Sequence, residues 1–240
     1  MNYVPSKFPV AREAWPFAVP AGLLTAAASA WWWITGVSAP LALAIVAGLL
    51  FVYILAFFRN PERSGPADTD AVYAPADGLV VSAGLVPHAD FEGGQALRIA
   101  IFMNLFNVHI CWAPLSGRVT AAKHHAGRFL NAMVDKCAEE NERKVLGMDF
   151  AGGARAEVKL VAGLVARRIV CPVEAGDTVA RGEKMGLIRF GSRVEVLLPA
   201  DSRLETRVGQ KVRGGQTVVA RHPGAAPANA AAASVGPSIP

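Results

Sequence analysis

Ser192, His109 and Asp77 are the side-chain types needed to make a hydroxyl nucleophilic. An imidazole takes the proton, and a carboxylate orients the imidazole. Ser192 follows Gly191 in the stretch Gly186-Leu-Ile-Arg-Phe-Gly-Ser-Arg-Val-Glu-Val-Leu-Leu-Pro199. Glycine tolerates backbone dihedrals that other residues do not, and attack of a serine hydroxyl on the carbonyl just before it needs that freedom. Each residue also has a plainer reading. Gly-Ser is a common turn dipeptide, and Asp77 in Ala74-Pro-Ala-Asp-Gly78 suits an ordinary Asp-Gly turn. A single histidine in the β-like run Phe106-Asn-Val-His-Ile110 suits a hydrogen-bonded core or edge residue. No G-x-S-x-G elbow is present, which disfavours an α/β-hydrolase. His124 and His125 are adjacent, and neither they nor the cysteines have zinc-site spacing, so no metal is expected.

A strand is expected at 193–198, where Val194, Val196 and Leu198 alternate with Arg193, Glu195 and Leu197 until Pro199 ends the run. Short β-branched or apolar runs at 79–86, 96–103, 107–112, 118–124, 156–161 and 165–171 are punctuated by Gly, Pro and Asp. Residues 61–222 therefore read as a mainly β body, a compact sandwich or barrel, with 132–143 as its one helix or else a mobile loop. Gly176-x-x-Val179-x-x-Gly182-Glu183 recurs as Gly209-x-x-Val212-x-x-Gly215-Gln216, which predicts two related turns. The uncharged Ala/Pro/Gly/Ser tail, 223–240, is expected to be disordered.

Before this body, residues 14–58 contain no charge. A membrane span needs about 20 apolar residues, and Gly36-Val-Ser-Ala-Pro40 divides the stretch into two helices, 16–35 and 40–58. Segment 1–60 is thus an N-terminal helical hairpin, with Trp31, Trp32 and Trp33 at one interface. Lys7 and Arg12 before it, and Arg59 and Arg63 after it, put both ends and the catalytic body on the cytoplasmic side of a cell membrane. Ala26-Ala-Ala-Ser-Ala30 has the form of a signal-peptidase site, but the apolar character continues past it. A hairpin lying within one leaflet is the other arrangement. The composition, 52% hydrophobic with a mean hydropathy of +0.32, fits a membrane part. The net charge of +5 fits an acidic surface, and without a basic run interleaved with aromatics that surface is lipid rather than nucleic acid. Three cysteines, Cys111, Cys137 and Cys171, form no CxxC and suit a reducing compartment.

Six pieces in order resemble the short bacterial and archaeal phosphatidylserine decarboxylases. They are Phe57-Phe-Arg-Asn-Pro-Glu-Arg63, Pro75-Ala-Asp-Gly78, Phe106-Asn-Val-His109, Gly127-Arg-Phe-Leu-Asn131, Asn141-Glu-Arg143 and Arg189-Phe-Gly-Ser192. The resemblance implies a zymogen that cuts itself between Gly191 and Ser192. The products are a β chain, 1–191, and an α chain, 192–240, paired as a heterodimer that could assemble further. Ser192 becomes a covalent pyruvoyl group, and Asp77 and His109 activate the cut. The implied reaction converts phosphatidylserine in the membrane to phosphatidylethanolamine and carbon dioxide through a Schiff base with that group. Arg189 and Arg193 are candidate substrate ligands. Longer members carry a further histidine at the position of Phe106, so the proton donor here falls to His109, with His125 as second candidate.

Two other readings compete on the residues alone. A membrane-tethered biotinyl/lipoyl-like carrier or adaptor would use the Gly-x-x-Val-x-x-Gly repeats and Lys184, but it leaves His109 and Gly191-Ser192 without a role. A β-rich membrane hydrolase would use Ser192 without cutting the chain.

Overall fold

The computed structural model describes residues 8–150, 153–164, 168–189 and 191–223. The tail expected to be disordered from 224 onward lies outside them, as do Phe190 and residues 165–167 of an expected strand. The chain divides into two compact units at Glu62/Arg63.

In the first unit the uncharged stretch folds as α1 (Trp15–Thr35) and α2 (Ser38–Phe57). Gly36, at φ +65°, ends α1 by donating its N–H to the Trp32 carbonyl at 2.8 Å. Small residues let the helices approach: Ala18, Ala21, Ala28, Ala44 and Ala47 are buried, and Gly22 lies against the Phe51 ring. The hydroxyls of Thr25 and Ser29 donate to carbonyls one turn back, each at 2.8 Å, so neither presents an unmet donor to an apolar solvent. Leu23, Trp33, Ile34, Val46, Leu49 and Val52 face outward. Both helices are long and apolar enough to cross a membrane. After α2, Arg59 Nη1 caps the helix end on the Ala56 carbonyl, and Asn60 Nδ2 reaches the Phe8 carbonyl at 3.0 Å.

The second unit is mainly β, as expected. In chain order its elements are β1 (Ala71–Tyr73), β2 (Gly78–Pro87), β3 (Gln95–Met103), β4 (Ile110–Trp112), β5 (Gly117–His125), α3 (Cys137–Glu140), β6 (Arg143–Phe150), β7 (Ala154–Ala162), β8 (Ile169–Val170), β9 (Thr178–Val179), β10 (Lys184–Ile188), β11 (Ser192–Pro199), β12 (Arg203–Leu204), β13 (Lys211–Val212) and β14 (Val218–Arg221). An eight-stranded antiparallel sheet runs β13-β2-β3-β11-β7-β6-β5-β9 and curls around the core, while β4-β10-β8 and β1-β14-β12 form two small sheets. Val194, Val196 and Leu198 of β11 enter the main apolar core with Ile99, Ile101, Val158 and Leu160. The other face of β11 is buried too, beneath Phe91 at one end and beneath Ala132 and Cys137 at the other. Segment 132–143 contains only the four-residue helix α3, and β6 begins where it ends.

The recurring glycine-valine turns occupy opposite edges of the large sheet: β9 pairs with the start of β5, and β13 with the start of β2. Their bonds correspond one to one. Val119 and Val80 donate to Asp177 and Gln210, and Gly176 and Gly209 donate back to Val119 and Val80. A second duplication lies beneath them. Tyr73-Ala-Pro-Ala-Asp-Gly78 and Trp112-Ala-Pro-Leu-Ser-Gly117 form matching corners that bond reciprocally, Tyr73 N–H to Pro114 O and Trp112 N–H to Pro75 O, both at 2.8 Å. An approximate two-fold axis therefore relates the two halves of the unit.

Candidate active site

Ser192 opens β11, paired with Met103 on one side and Ala162 on the other, and is completely buried. The chain arrives from β10, in a different sheet, so Gly191 is where the backbone crosses between sheets. Gly191 makes this crossing at φ +68°, in the left-handed region that a side chain disfavours. The Ser192 hydroxyl rests on Met103 Sδ at 3.2 Å, a weak acceptor.

His109 immediately precedes β4, whose Ile110 pairs with Leu187 of β10, and its own carbonyl accepts from Ile188 N–H at 3.2 Å. This ladder brings the buried imidazole to the crossing. Its Nδ1 lies 3.0 Å from the Asn107 carbonyl, and its Nε2 lies 3.3 Å from Gly191 N. A carbonyl can only accept and an amide N–H can only donate. The ring is therefore the neutral tautomer with its proton on Nδ1 and a lone pair on Nε2 facing the Gly191 backbone. Asn107 owes its position to a closed turn: Asn104 N–H donates to Asn107 Oδ1, and Phe106 N–H to Asn104 Oδ1, each at 2.9 Å. Phe106 itself points outward, 77% exposed.

Asp77 lies at the same end of the sheet, since the next residues of its strand pair with Phe102, beside Met103. Its carboxylate forms a two-point ion pair with Arg63 and accepts the Gly214 N–H at 2.8 Å. Among the described residues it makes no hydrogen bond to His109, so the carbonyl of Asn107, rather than a carboxylate, sets the imidazole's tautomer. Arg63 also stacks on the Trp112 ring at 4.6 Å.

Three expected substrate-side residues fall in unlike places. Arg193, fully buried, donates to Glu195 and Asp135, both at 2.7 Å. This departs from its reading as a headgroup ligand: the guanidinium is out of solvent, Nε and Nη2 clamp the 127–141 loop to β11, and Nη1 has no hydrogen-bond partner among the described residues. Arg189 is half-buried beside the crossing, with its N–H on the Arg168 carbonyl at 3.3 Å. His125 ends β5, opposite Arg143, three strands from β11. At ~4.8 Å per strand that is roughly 14 Å from Ser192, beyond direct proton transfer. Burial first, then the charges of Arg143 and Lys123, lower its pKa.

The 127–141 loop closes over this end of the sheet. Asn141 clasps it, accepting from Leu130 N–H at 2.8 Å and donating to the carbonyls of Leu130 and Ala162 at 2.9 and 2.7 Å. Exposed apolar side chains ring the same end: Leu105 and Phe106 beyond β3, Leu164 beyond β7, and Phe129, Met133 and Val134 on the loop. Arg63, Asn107 and Asn141 lie within the motif pieces, but only the partners they meet in the fold reveal their work. Lys184, the carrier alternative's attachment point, opens β10 opposite Trp112 instead of standing at a hairpin tip.

The sequence profile described as phosphatidylserine decarboxylase matches residues 50–220. Three similar proteins, each called phosphatidylserine decarboxylase proenzyme, come from Paraburkholderia phymatum, Burkholderia ambifaria and Aromatoleum aromaticum. The first is 39% identical over 211 residues, covering 88% of this chain and 96% of the relative. The second is 42% identical over 221 residues, covering 88% and 95%, and the third 42% over 219 residues, covering 89% and 96%. With the profile spanning most of the chain and relatives matching nearly end to end, the chain belongs to the phosphatidylserine decarboxylase family of carboxy-lyases.

Proposed function

We propose that this chain is a precursor that cuts itself between Gly191 and Ser192, and that the cut enzyme converts phosphatidylserine to phosphatidylethanolamine and carbon dioxide. The observation that carries the reading is the crossing itself: a left-handed glycine, a buried serine after it, and an unprotonated imidazole nitrogen 3.3 Å from the Gly191 nitrogen. Rotation about the Ser192 Cα–Cβ bond turns the hydroxyl from Met103 Sδ toward His109 Nε2. His109 then takes the proton as Oγ adds to the Gly191 carbonyl carbon. Collapse breaks the amide, the released nitrogen takes the proton from His109, and an ester remains. Elimination across Cα–Cβ of residue 192 releases the Gly191 carboxylate and leaves dehydroalanine, which water converts to a pyruvoyl group and ammonia. Asp77, held by Arg63, supplies negative charge at this end and keeps the first corner in place.

A pyruvoyl group fits at position 192. Its ketone oxygen replaces the amide nitrogen and its methyl lacks the hydroxyl, so it needs no more room than serine. Once formed, its carbonyl chemistry withdraws the electrons left when a carboxylate leaves as carbon dioxide. His109 is the residue placed to return a proton, and Arg189 remains the candidate for the lipid's anionic groups. The 192–240 chain stays bound after the cut because β11 keeps both its ladders. The apolar ring around the site suits a substrate whose acyl chains stay in the bilayer. The two apolar helices suit attachment to the cell membrane with this unit on the cytoplasmic side.

The test is an intact mass of the purified full-length protein, with decarboxylation assayed on vesicles containing phosphatidylserine. Two chains meeting at Gly191/Ser192 are expected, the smaller lighter by one ammonia than a serine-started peptide, with carbon dioxide released. Ser192→Ala is expected to give one uncut, inactive chain. Cleavage of that variant at the same bond would sink the mechanism.

A further inference from the structure

Two glycines meet at the crossing, for opposite reasons. Gly191 needs its backbone angle, since a Cβ there would touch nothing within 4 Å. Gly163 has no left-handed angle to explain it, yet a Cβ there would stand 2.4 Å from the Gly191 carbonyl oxygen and 3.1 Å from its carbon. Real side chains essentially never approach so closely. The methyl of Ala132 closes the other side, 3.2 Å from the same point, on the loop that Asn141 ties to the Ala162 carbonyl. Gly163 is therefore a glycine for space, and the space holds the carbonyl that self-cleavage would attack.

We propose that Gly163 is a positioning residue for the self-cleavage. Its missing side chain lets the Gly191 carbonyl lie in the one direction from which Ser192 Oγ reaches the carbon. The inference rests on the self-cleavage reading given above. As the Oγ–carbon bond forms and its proton moves to His109 Nε2, the carbonyl π pair moves onto the oxygen lying against the Gly163 Cα. When that pair returns, the Gly191–Ser192 amide bond breaks and the departing nitrogen takes the proton. A methyl at 163 turns the carbonyl away. The side of Gly191 where a Cβ would stand is open for 4 Å, and a shift of the chain toward it keeps the fold while the attack geometry is lost.

The test follows chain separation in full-length Gly163→Ala, with hydroxylamine added to cut any ester formed. Cleavage slowed by about 100-fold or more is expected, from displacement of the reacting carbonyl alone. No hydroxylamine-sensitive ester should accumulate. Ala132→Gly added to Gly163→Ala should restore part of the rate by giving the methyl somewhere to go. Folding is followed separately with Gly163→Ala in a Ser192→Ala background, where no cut occurs, and a melting midpoint within a few degrees of the single variant is expected. Wild-type cleavage by Gly163→Ala would overturn the inference, and so would collapse of the uncleavable double variant, which would make Gly163 a packing residue. If Ser192→Ala is itself cut at 191/192, the self-cleavage reading fails first; if it stays whole while Gly163→Ala cuts normally, only the role of Gly163 fails.

Discussion

The corner at Asp77 and the corner at Ser116 share a sequence pattern and a bonding pattern but differ in chemistry. Each follows an aromatic-Ala-Pro run, and each presents a side-chain oxygen to an amide of a glycine-valine turn. Asp77 Oδ1 receives Gly214 N–H at 2.8 Å, and Ser116 Oγ receives Arg181 N–H at 2.9 Å. Each half also has an arginine on an aromatic ring, Arg63 over Trp112 and Arg181 over Tyr73 at 4.8 Å. What differs is charge and place. The Asp77 corner holds a carboxylate ion-paired with Arg63 at the Ser192 end of the sheet. The Ser116 corner is neutral and leads into β5, which begins beside the end of β6, while its Trp112 side bonds to the Asp77 corner. Capping the turn thus requires only an oxygen. The carboxylate is additional, and the neutral corner serves as an internal control for it.

Replacing Asp77 with serine makes the two corners alike and should have the largest effect. The amide cap survives, the charge does not, and precursor cleavage should slow by about 100-fold. A time course of chain separation measures it, and an unchanged rate would mean that both corners serve the fold alone. Arg63→Met leaves Asp77 buried against one N–H, and a cost of about 3–5 kcal/mol is expected in denaturant unfolding of the uncleavable Ser192→Ala form. Ser116→Ala removes only the hydroxyl cap of the neutral corner. About 1 kcal/mol of stability should go, with the cleavage rate unchanged; slower cleavage would mean that the two corners are coupled.

The smallest expected effect is acid sensitivity confined to the Ser192 end. The hydrogen bond from Arg193 lowers the pKa of Asp135 from its ordinary 3.8. A carboxylate with a depressed folded-state pKa contributes stability that is fully present above the ordinary value and lost as pH falls through the folded one. Asp135 is 66% exposed, so solvent screens the contribution. Asp135→Asn should lower stability slightly near neutrality, where the contribution is present, and flatten its fall below pH 4, as read by thermal melts across pH.

Much of this architecture is legible along the chain because it is local. The uncharged stretch before Arg59, broken at Gly36, marks two helices. Alternation marks β11, short β-branched or apolar runs mark β2, β3, β5 and β7 within a residue or two, and the paired Gly-x-x-Val-x-x-Gly turns announce an internal duplication. The strand β6 escapes because Arg143-Lys-Val-Leu-Gly-Met-Asp-Phe150 follows an acidic run and carries a glycine in its middle. The matching Ala-Pro corners are equally visible in the letters, but their significance rests on reciprocal bonds that only the folded sheet makes. Ser192, His109 and Asp77 can be picked out by residue type and by the company of their motifs.

Their partners cannot: Arg63 and Gly214 on Asp77 and Met103 under Ser192 come from other segments, and on His109 Nδ1 the carbonyl of Asn107, two residues back, stands where residue types alone suggest Asp77. Arg193 shows the limit most plainly. In the sequence it is a cation beside a nucleophile; in the fold it is sealed between Glu195 and Asp135 because β11 is covered on both faces. Residue types and local periodicity determine which chemistry is available and which segments extend or coil. Which atom faces which, and where a missing side chain leaves room for a carbonyl, depend on long-range strand register, which no local pattern encodes.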